Sequence, residues 1–319
     1  MINFSNYLIK ENKMIIGNYV LGSKKIDIKK RFKKLGEKKV SDLIDKTGVR
    51  YIYETKNNEN SLTLAVKATK KLFKKINEDI DCVIFISQSH ISSIPPSGAI
   101  LHSELNLKKQ CAVFDLVQGC SSFPYALTMA INMINSKTFK NCLIISSEVY
   151  TKFIDKDNRA CSSIFSDAAS AIFLNSKNLP KILSSVFYTD GKGQDKLFKS
   201  KDNKIIMKGA EVFTFTTKEV PTAVNELLNK AKLNIHEIGH FFFHQASNIV
   251  LETLKKKMSI PNDKFFKDFS LIGNTVSSTI PISLINCNKK ILNQEKPIML
   301  LGFGVGYSLS GGVFHFDKR

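Results

Sequence analysis

Cys111-Ala112-Val113-Phe114-Asp115-Leu116-Val117-Gln118-Gly119-Cys120-Ser121-Ser122 is the stretch from which the rest of the chain is read. Residues 111–116 form a short apolar run, the composition of a strand buried on both faces of a sheet. Gly119 permits a sharp turn that a Cβ obstructs. Cys120 then opens a helix whose Phe123, Ala126, Leu127, Ala130, Ile131 and Ile134 share one face. Strand, glycine, cysteine and helix in that order set a thiol at the end of a sheet, where α/β sites form. The helix N-terminus favours the thiolate and lowers its pKa. Taken alone, the same placement equally suits a buried cysteine at a helix start.

Outward from that stretch, short apolar runs alternate with amphipathic segments. Strands are predicted at 14–21, 82–87, 142–147 and 169–174 on the N-terminal side. On the C-terminal side they fall at 182–188, 240–243, 297–302 and 307–316. Helices are predicted over 61–76, from Pro95-Pro96 to 105, over 210–233 with a break or kink near Pro221, over 246–258, and over 277–292. Buried strands alternating with helices imply an α/β architecture. No repeat, low-complexity linker or shift of composition separates independent domains, so the two halves are expected to pack closely.

The chain has 319 residues, of which 43% are hydrophobic, enough for one large core or two packed together. No run of about 18 apolar residues predicts a membrane helix. The first thirteen residues lack the apolar segment of a signal peptide, and a cytoplasmic protein is expected. The six cysteines are widely spaced, with no CxxC pair and no zinc-type cluster. Cys82, Cys111 and Cys142, each at the start of an apolar run, read as small buried residues. The net charge is +19. Its lysines are scattered over amphipathic helices without a zinc-finger, RNP-like or recognition-helix pattern, which argues against nucleic acid as the partner. An acidic carrier protein or a phosphate-bearing cofactor suits the same field. The basic segment 23–40 reads as a solvated face, with docking as the alternative.

Two further short segments end at polar residues. Phe243-His244-Gln245-Ala246-Ser247 puts an imidazole after three phenylalanines, where apolar neighbours disfavour its charged form. A neutral imidazole can donate one N–H to a developing oxyanion. Leu271-Ile272-Gly273-Asn274-Thr275 puts a carboxamide in a turn, an ordinary place for Asn until its partners are considered. Together Cys120, His244 and Asn274 suggest thioester chemistry. A cysteine protease also uses Cys, His and Asn, but the tryptophan-rich surroundings of the papain-like nucleophile are missing from a chain with no Trp.

These residues resemble the thiolase superfamily, and most closely β-ketoacyl-acyl-carrier-protein synthase III. The resemblance runs from about residue 14 to 316. It includes Asp45-Lys46-Thr47-Gly48-Val49-Arg50, Phe114 through Cys120, Asp157-Asn158-Arg159, residues 164–169, residues 207–213, the His244 and Asn274 segments, and Gly302-Phe303-Gly304-Val305-Gly306. It implies a five-layered αβαβα fold of two similar halves, residues 1–175 with the nucleophile and 176–319 with His and Asn. It also implies a homodimer, an acyl carrier protein as partner, acyl-CoA or acyl-carrier thioesters as substrates, and no metal or redox cofactor. Cys120 would carry the primer acyl group. His244 and Asn274 would stabilise the enolate left when a malonyl thioester loses CO₂. The backbone at Cys120 and Val305, beside Gly304, would hold the acyl oxygen, and Phe243 would offer an apolar wall. Arg159 and Lys208 would contact substrate.

Several positions depart from that pattern. The place of a primer-stacking Trp falls near Asp42, that of a carrier-docking Arg near Ile249, and that of a pocket aromatic near Pro95. Val305 replaces the middle glycine of the C-terminal strand. These changes leave the primer open: CoA-linked or carrier-linked, in primary lipid synthesis or in a specialised pathway. The alternatives are a thiolase-fold enzyme that moves an acyl group to an alcohol or amine, and a scaffold that has kept the fold without the chemistry.

Overall fold

The computed structural model describes residues 15–287 and 296–316. In chain order the elements are β1 (Ile16–Leu21), β2 (Lys24–Asp27), α1 (Ile28–Arg31), α2 (Glu37–Thr47), β3 (Tyr51–Glu54), α3 (Ser61–Phe73), β4 (Cys82–Ile86), α4 (Ser97–Glu104), β5 (Ala112–Leu116), α5 (Ser122–Asn135), β6 (Asn141–Glu148), α6 (Arg159–Ser162), β7 (Ala168–Asn175), β8 (Lys181–Thr189), β9 (Leu197–Lys199), β10 (Ile205–Met207), α7 (Gly209–Ala231), β11 (His240–Phe243), α8 (Asn248–Lys257), α9 (Thr279–Asn286), β12 (Ile298–Gly304) and β13 (Ser308–His315). The predicted strand at residue 14 and the predicted helix beyond 287 lie partly outside the described residues. Among the described residues no helix is long and apolar enough to cross a membrane.

Two sheets form the frame. The first has the order β1-β7-β6-β4-β5, with β4 parallel to β5 and β6, and β7 antiparallel to β6 and β1. The second has the order β11-β12-β13-β8, with β11 parallel to β12 and the other pairs antiparallel. Helices α3 and α4 cover the outer face of the first sheet. Helices α5 and α9 lie between the sheets, and α7 packs outside the second with α8 against it. This is the five-layered αβαβα arrangement of a thiolase-like fold. Three apolar clusters fill the gaps: one under α3, one around α5 between the sheets, and one between the second sheet, α7 and α8.

Local chemistry accounts for these elements. Asn60 and Thr63 cap α3 reciprocally, side chain to backbone, and satisfy donors that the first turn leaves free. Leu62, Ala65, Ala68 and Leu72 of α3 are buried. The Cys82–Ile86 strand is buried along its whole length, as its unbroken apolar run predicts, and Cys82 pairs in register with Cys142. All six cysteines are buried free thiols.

Some elements differ from the sequence pattern. Among the described residues β5 is an edge strand rather than a doubly buried one, and Phe114 is 41% exposed. Apolar composition reports strand tendency but not position in the sheet. The basic segment 23–40 is not one solvated face. It folds into β2, α1 and the start of α2, and buries Ile28, Phe32 and Val40. Helix α7 runs through Pro221 without a break. Proline removes the N–H that would reach the carbonyl four residues back. That carbonyl, on Thr217, accepts instead from Lys257 Nζ of α8 at 3.0 Å.

Candidate active site

Cys120 sits where β5 turns into α5. Gly119 has φ +57°, and Gly119–Ser121 form a 3₁₀ turn before the helix begins at Ser122. A Cβ on Gly119 would lie 2.4 Å from Gln88 Oε1 and 2.7 Å from Val305 Cγ1, so the turn is wedged between these two side chains. Strand β12 approaches from the other sheet. A Cβ on Gly302 would stand 2.5 Å from the Cys120 carbonyl oxygen, and one on Gly304 would stand 3.1 Å from Cys120 Cβ and 3.4 Å from Sγ. The glycines predicted for this strand are therefore what lets it touch the Cys120 backbone. Ser310 Oγ donates to the Ser121 carbonyl and Ser121 Oγ lies 2.7 Å from Ser308 Oγ, which ties the turn to β13.

The Cys120 side chain is buried, and burial, aided by the nearby Glu148 charge, pushes its thiol well above the usual range. This opposes the lowering expected from the helix start. Desolvation of a thiolate in an apolar cluster with Tyr150, Phe165, Val276 and Val305 outweighs a terminus that begins two residues later.

His244 follows β11, and its backbone N–H donates to the Leu301 carbonyl at 2.8 Å. Its ring meets Phe303 edge-on at 5.5 Å and 84°. Nδ1 lies 2.8 Å from Thr279 Oγ1, while Nε2 lies 3.5 Å from Asn274 Nδ2. Burial lowers the imidazole pKa from 6.5 to about 3, so the ring is neutral. The Thr279 hydroxyl donates to the Val276 carbonyl at 3.0 Å. The same hydroxyl meets Nδ1, and the direction of that bond follows the tautomer of the ring. For Nε2 to donate to an oxyanion, the Thr279 hydroxyl must turn and donate to Nδ1.

Asn274 is fixed on all sides. Its N–H donates to Ile164 O at 2.7 Å, its carbonyl accepts from Ser166 N at 2.9 Å, and its Oδ1 accepts from Val276 N at 2.9 Å. Val276 presents that N–H from φ +55°, a strained conformation for a β-branched residue. With Oδ1 taken, the amide's Nδ2 hydrogens remain to face His244 and the Ala246 carbonyl. Val276 also packs in the apolar cluster that holds Cys120, and its N–H donates to Asn274 Oδ1, which links that cluster to the segment carrying the carboxamide.

The other predicted residues divide. Val305 packs against the Cys120 cluster, and Gly304 backs on the sulfur. Phe243 is not at the site: it is fully buried in the core against Phe265, and the aromatic face beside His244 belongs to Phe303. Alternation along a strand sends residue 243 away from the face its neighbour uses. Arg159 begins α6 and lines a cavity of about 560 Å³ with Lys24, Arg31, Lys34 and Lys156; Glu54, ion-paired to Arg31 and Lys24, and Asp157 line it too and offset part of that charge. Lys208 is ion-paired with Asp195 at the surface, 2.9 Å away.

Other residues at the site were not singled out from the sequence. Glu148 ends β6 fully buried and accepts from Ser89 Oγ and Ser277 Oγ, each at 2.8 Å, and from the Gln88 N–H. Burial raises its pKa from 4.5 to about 7 against the pull of those donors. An acid after an apolar run reads as the wet end of a strand, and nothing local reveals its burial. Thr279 lies five residues past Asn274 in a run of hydroxyls, where only its contact with His244 distinguishes it.

Two family models match the chain: 3-oxoacyl-[acyl-carrier-protein (ACP)] synthase III over residues 114–191 and its C-terminal counterpart over residues 228–316. The β-ketoacyl-[acyl-carrier-protein] synthase III of Clostridium acetobutylicum is 30% identical over 279 residues, which cover 82% of this chain and 86% of that protein. The protein of the same name from Acholeplasma laidlawii is 30% identical over 261 residues, 81% of this chain and 84% of its own. A crystal structure of a 3-oxoacyl-(acyl-carrier-protein) synthase III superposes with a TM-score of 0.89 at 30% identity, over 95% of this chain and 99% of the other. The 3-oxoacyl-(acyl-carrier protein) synthase of Burkholderia xenovorans gives 0.86 at 26% identity, over 95% and 94%.

Proposed function

The chain belongs to the 3-oxoacyl-[acyl-carrier-protein] synthase III family and is a condensing acyltransferase of that type; we propose that it works through an acyl group carried on Cys120. In the first half-reaction the Cys120 sulfur attacks the carbonyl of a primer thioester. The new C–S bond replaces the old one, and the thiol proton ends on the departing carrier thiol. The acyl oxygen is held by the backbone N–H groups of Cys120 and Val305. In the second, the thioester oxygen of malonyl-carrier protein lies against His244 and Asn274. Loss of CO₂ leaves an electron pair as the enolate on that oxygen. The carbanion attacks the Cys120 thioester, the sulfur leaves as thiolate and takes up a proton from water, and a β-ketoacyl-carrier departs.

The observation that carries this division of labour is the buried, neutral His244 beside an Asn274 whose Oδ1 is already occupied. Such a pair is suited to stabilise an oxyanion rather than to hold a thiolate as an ion pair. The Gly302 and Gly304 contacts, which bring β12 against Cys120, support Val305 as the second backbone donor.

Residues 1–175 and 176–319 are the two halves of this reading, each built on one of the sheets. We place Arg159 and the basic cavity it lines at the entrance used by CoA- or carrier-linked phosphates, and assign the acyl carrier protein as partner. Six buried free thiols support a reducing compartment such as the cytoplasm. The unpaired β5 edge, with Phe114 and Val117 exposed, supports a homodimer. The chemistry calls for no metal or redox cofactor.

The test is the intact mass of the full chain after exposure to acyl-CoA and acyl-carrier thioesters and then to malonyl-carrier protein. A Cys120 adduct that disappears with CO₂ and a β-ketoacyl product is expected. His244→Ala and Asn274→Ala should keep the adduct while CO₂ release falls by roughly 10²–10³. Equal loss of acylation in both variants and in Cys120→Ala would sink the assignment. An adduct that leaves only to an alcohol or amine would move the enzyme to plain acyl transfer.

A further inference from the structure

Glu148 is fully buried at the end of β6, and its carboxylate is shared between two turns. Oε1 accepts from Ser277 Oγ and Oε2 from Ser89 Oγ, each at 2.8 Å. The Gln88 backbone N–H donates to both oxygens, at 3.2 and 3.1 Å. Gln88 leads to the Cys120 turn. Its Nε2 donates to the Val117 carbonyl at 3.1 Å, its Oε1 accepts from the Tyr150 hydroxyl, and a Cβ on Gly119 would lie 2.4 Å from that oxygen. Ser277 leads to the Asn274 turn. It follows Val276, whose left-handed backbone (φ +55°) aims its N–H at Asn274 Oδ1. Ser278 ties the same turn to β6 a second time, donating to the Ser146 carbonyl at 3.1 Å. One carboxylate therefore spans the segment that carries the thiol and the segment that carries the carboxamide.

Stability does not account for this group. Among the described residues no cation pairs with it, and its partners are two hydroxyls and one backbone N–H. A carboxylate buried without a cation is costly, and burial raises its pKa to about 7 in spite of those donors. We propose that Glu148 is a positioning residue that holds the Cys120 turn and the Asn274 turn in register, so that the carbanion formed at one meets the acyl group carried by the other. The inference rests on the acyl-enzyme reading of Cys120, with His244 and Asn274 as the place of decarboxylation. Acylation uses the first turn and loss of CO₂ the second; only the carbon–carbon bond needs both at once. A displacement of about 1 Å between reacting groups slows such a step by about a hundredfold. A carbanion that misses the acyl group takes a proton from water instead. Acetyl-carrier then departs, and the acyl group stays on Cys120.

The experiment compares the full chain with Glu148→Gln and Ser277→Ala, each checked for a cooperative thermal transition. Each is first acylated on Cys120 to completion, as read by intact mass, and then given malonyl-carrier protein. The quantity read is β-ketoacyl-carrier formed per CO₂ released, which a smaller folded fraction does not move. The unaltered chain should form nearly as much β-ketoacyl-carrier as CO₂. In both variants the ratio should fall at least about threefold, with acetyl-carrier making up the difference. An unchanged ratio in either variant, once folded, overturns the assignment. Failure of Ser277→Ala to fold overturns it too, because the bond to Glu148 would then serve the fold and not the register. An unaltered chain that takes no acyl group, or yields no β-ketoacyl product, removes the acyl-enzyme reading and this inference together. Normal condensation with an unmoved ratio removes the inference alone.

Discussion

His244 owes its charge state to its neighbours. Burial lowers its pKa from 6.5 to about 3, so the unfolded chain takes up this proton before the folded one. The site's contribution to stability is complete above about pH 6.5 and is lost as pH falls toward 3. Glu148 runs the other way, from 4.5 to about 7, and its contribution is complete below about 4.5 and lost as pH rises through 7. In an NMR titration the His244 ring should keep the signature of a neutral imidazole from pH 8 down to 5; a midpoint near 6.5 would contradict it. The three phenylalanines before His244 make its neutrality legible in the sequence, because they name its surroundings. The partners that orient it, Thr279 and Asn274, come from thirty or more positions away and leave no local trace. Phe243 shows the same limit: the resemblance implied a role at the site, and strand alternation gives the residue to the core.

At the scale of the element, β12 decides the site. Its glycines stand where any side chain would meet the Cys120 turn. Gly302→Ala sets a Cβ against the Cys120 carbonyl oxygen, which cannot move independently of that residue. It should cost about 1–3 kcal/mol, read as a drop of several degrees in the thermal midpoint, and slow Cys120 acylation. Gly209→Ala, at the start of α7 where no atom lies within 4 Å of the new Cβ, should leave the midpoint within about a degree. A fall of the same size in both variants would mean that the close approach is not what β12 requires. Most strands and helices were legible from apolar periodicity, since burial of one face imposes it. Helix α7 was not read as continuous, because the Lys257 contact that replaces the bond lost at Pro221 lies on another helix.

At the scale of the whole molecule, a net charge of +19 meets a cavity where Lys24, Arg31, Lys34, Lys156 and Arg159 outnumber the carboxylates of Glu54 and Asp157. Screening weakens exposed charge pairs beyond about 10 Å at 0.1 M salt. Raising salt from about 50 to about 500 mM should therefore raise KM for malonyl-carrier protein several-fold. Acylation of Cys120 by a small uncharged thioester should change by less than about twofold. Equal sensitivity in both would place the electrostatics in the fold rather than in docking. By itself the sequence determined the α/β class, the strand-Gly-Cys-helix turn and the glycines of the last strands, because turn chemistry and periodic burial are local requirements. It also supplied the identities of the thiol, imidazole and carboxamide. Only the tertiary structure decided that β5 is an edge, that Glu148 is buried, that Phe303 rather than Phe243 faces His244, and that Tyr150 donates to Gln88 beside the Cys120 turn. Each of these depends on which distant segment arrives next to a residue. Packing sets that, and no window of neighbouring residues contains it.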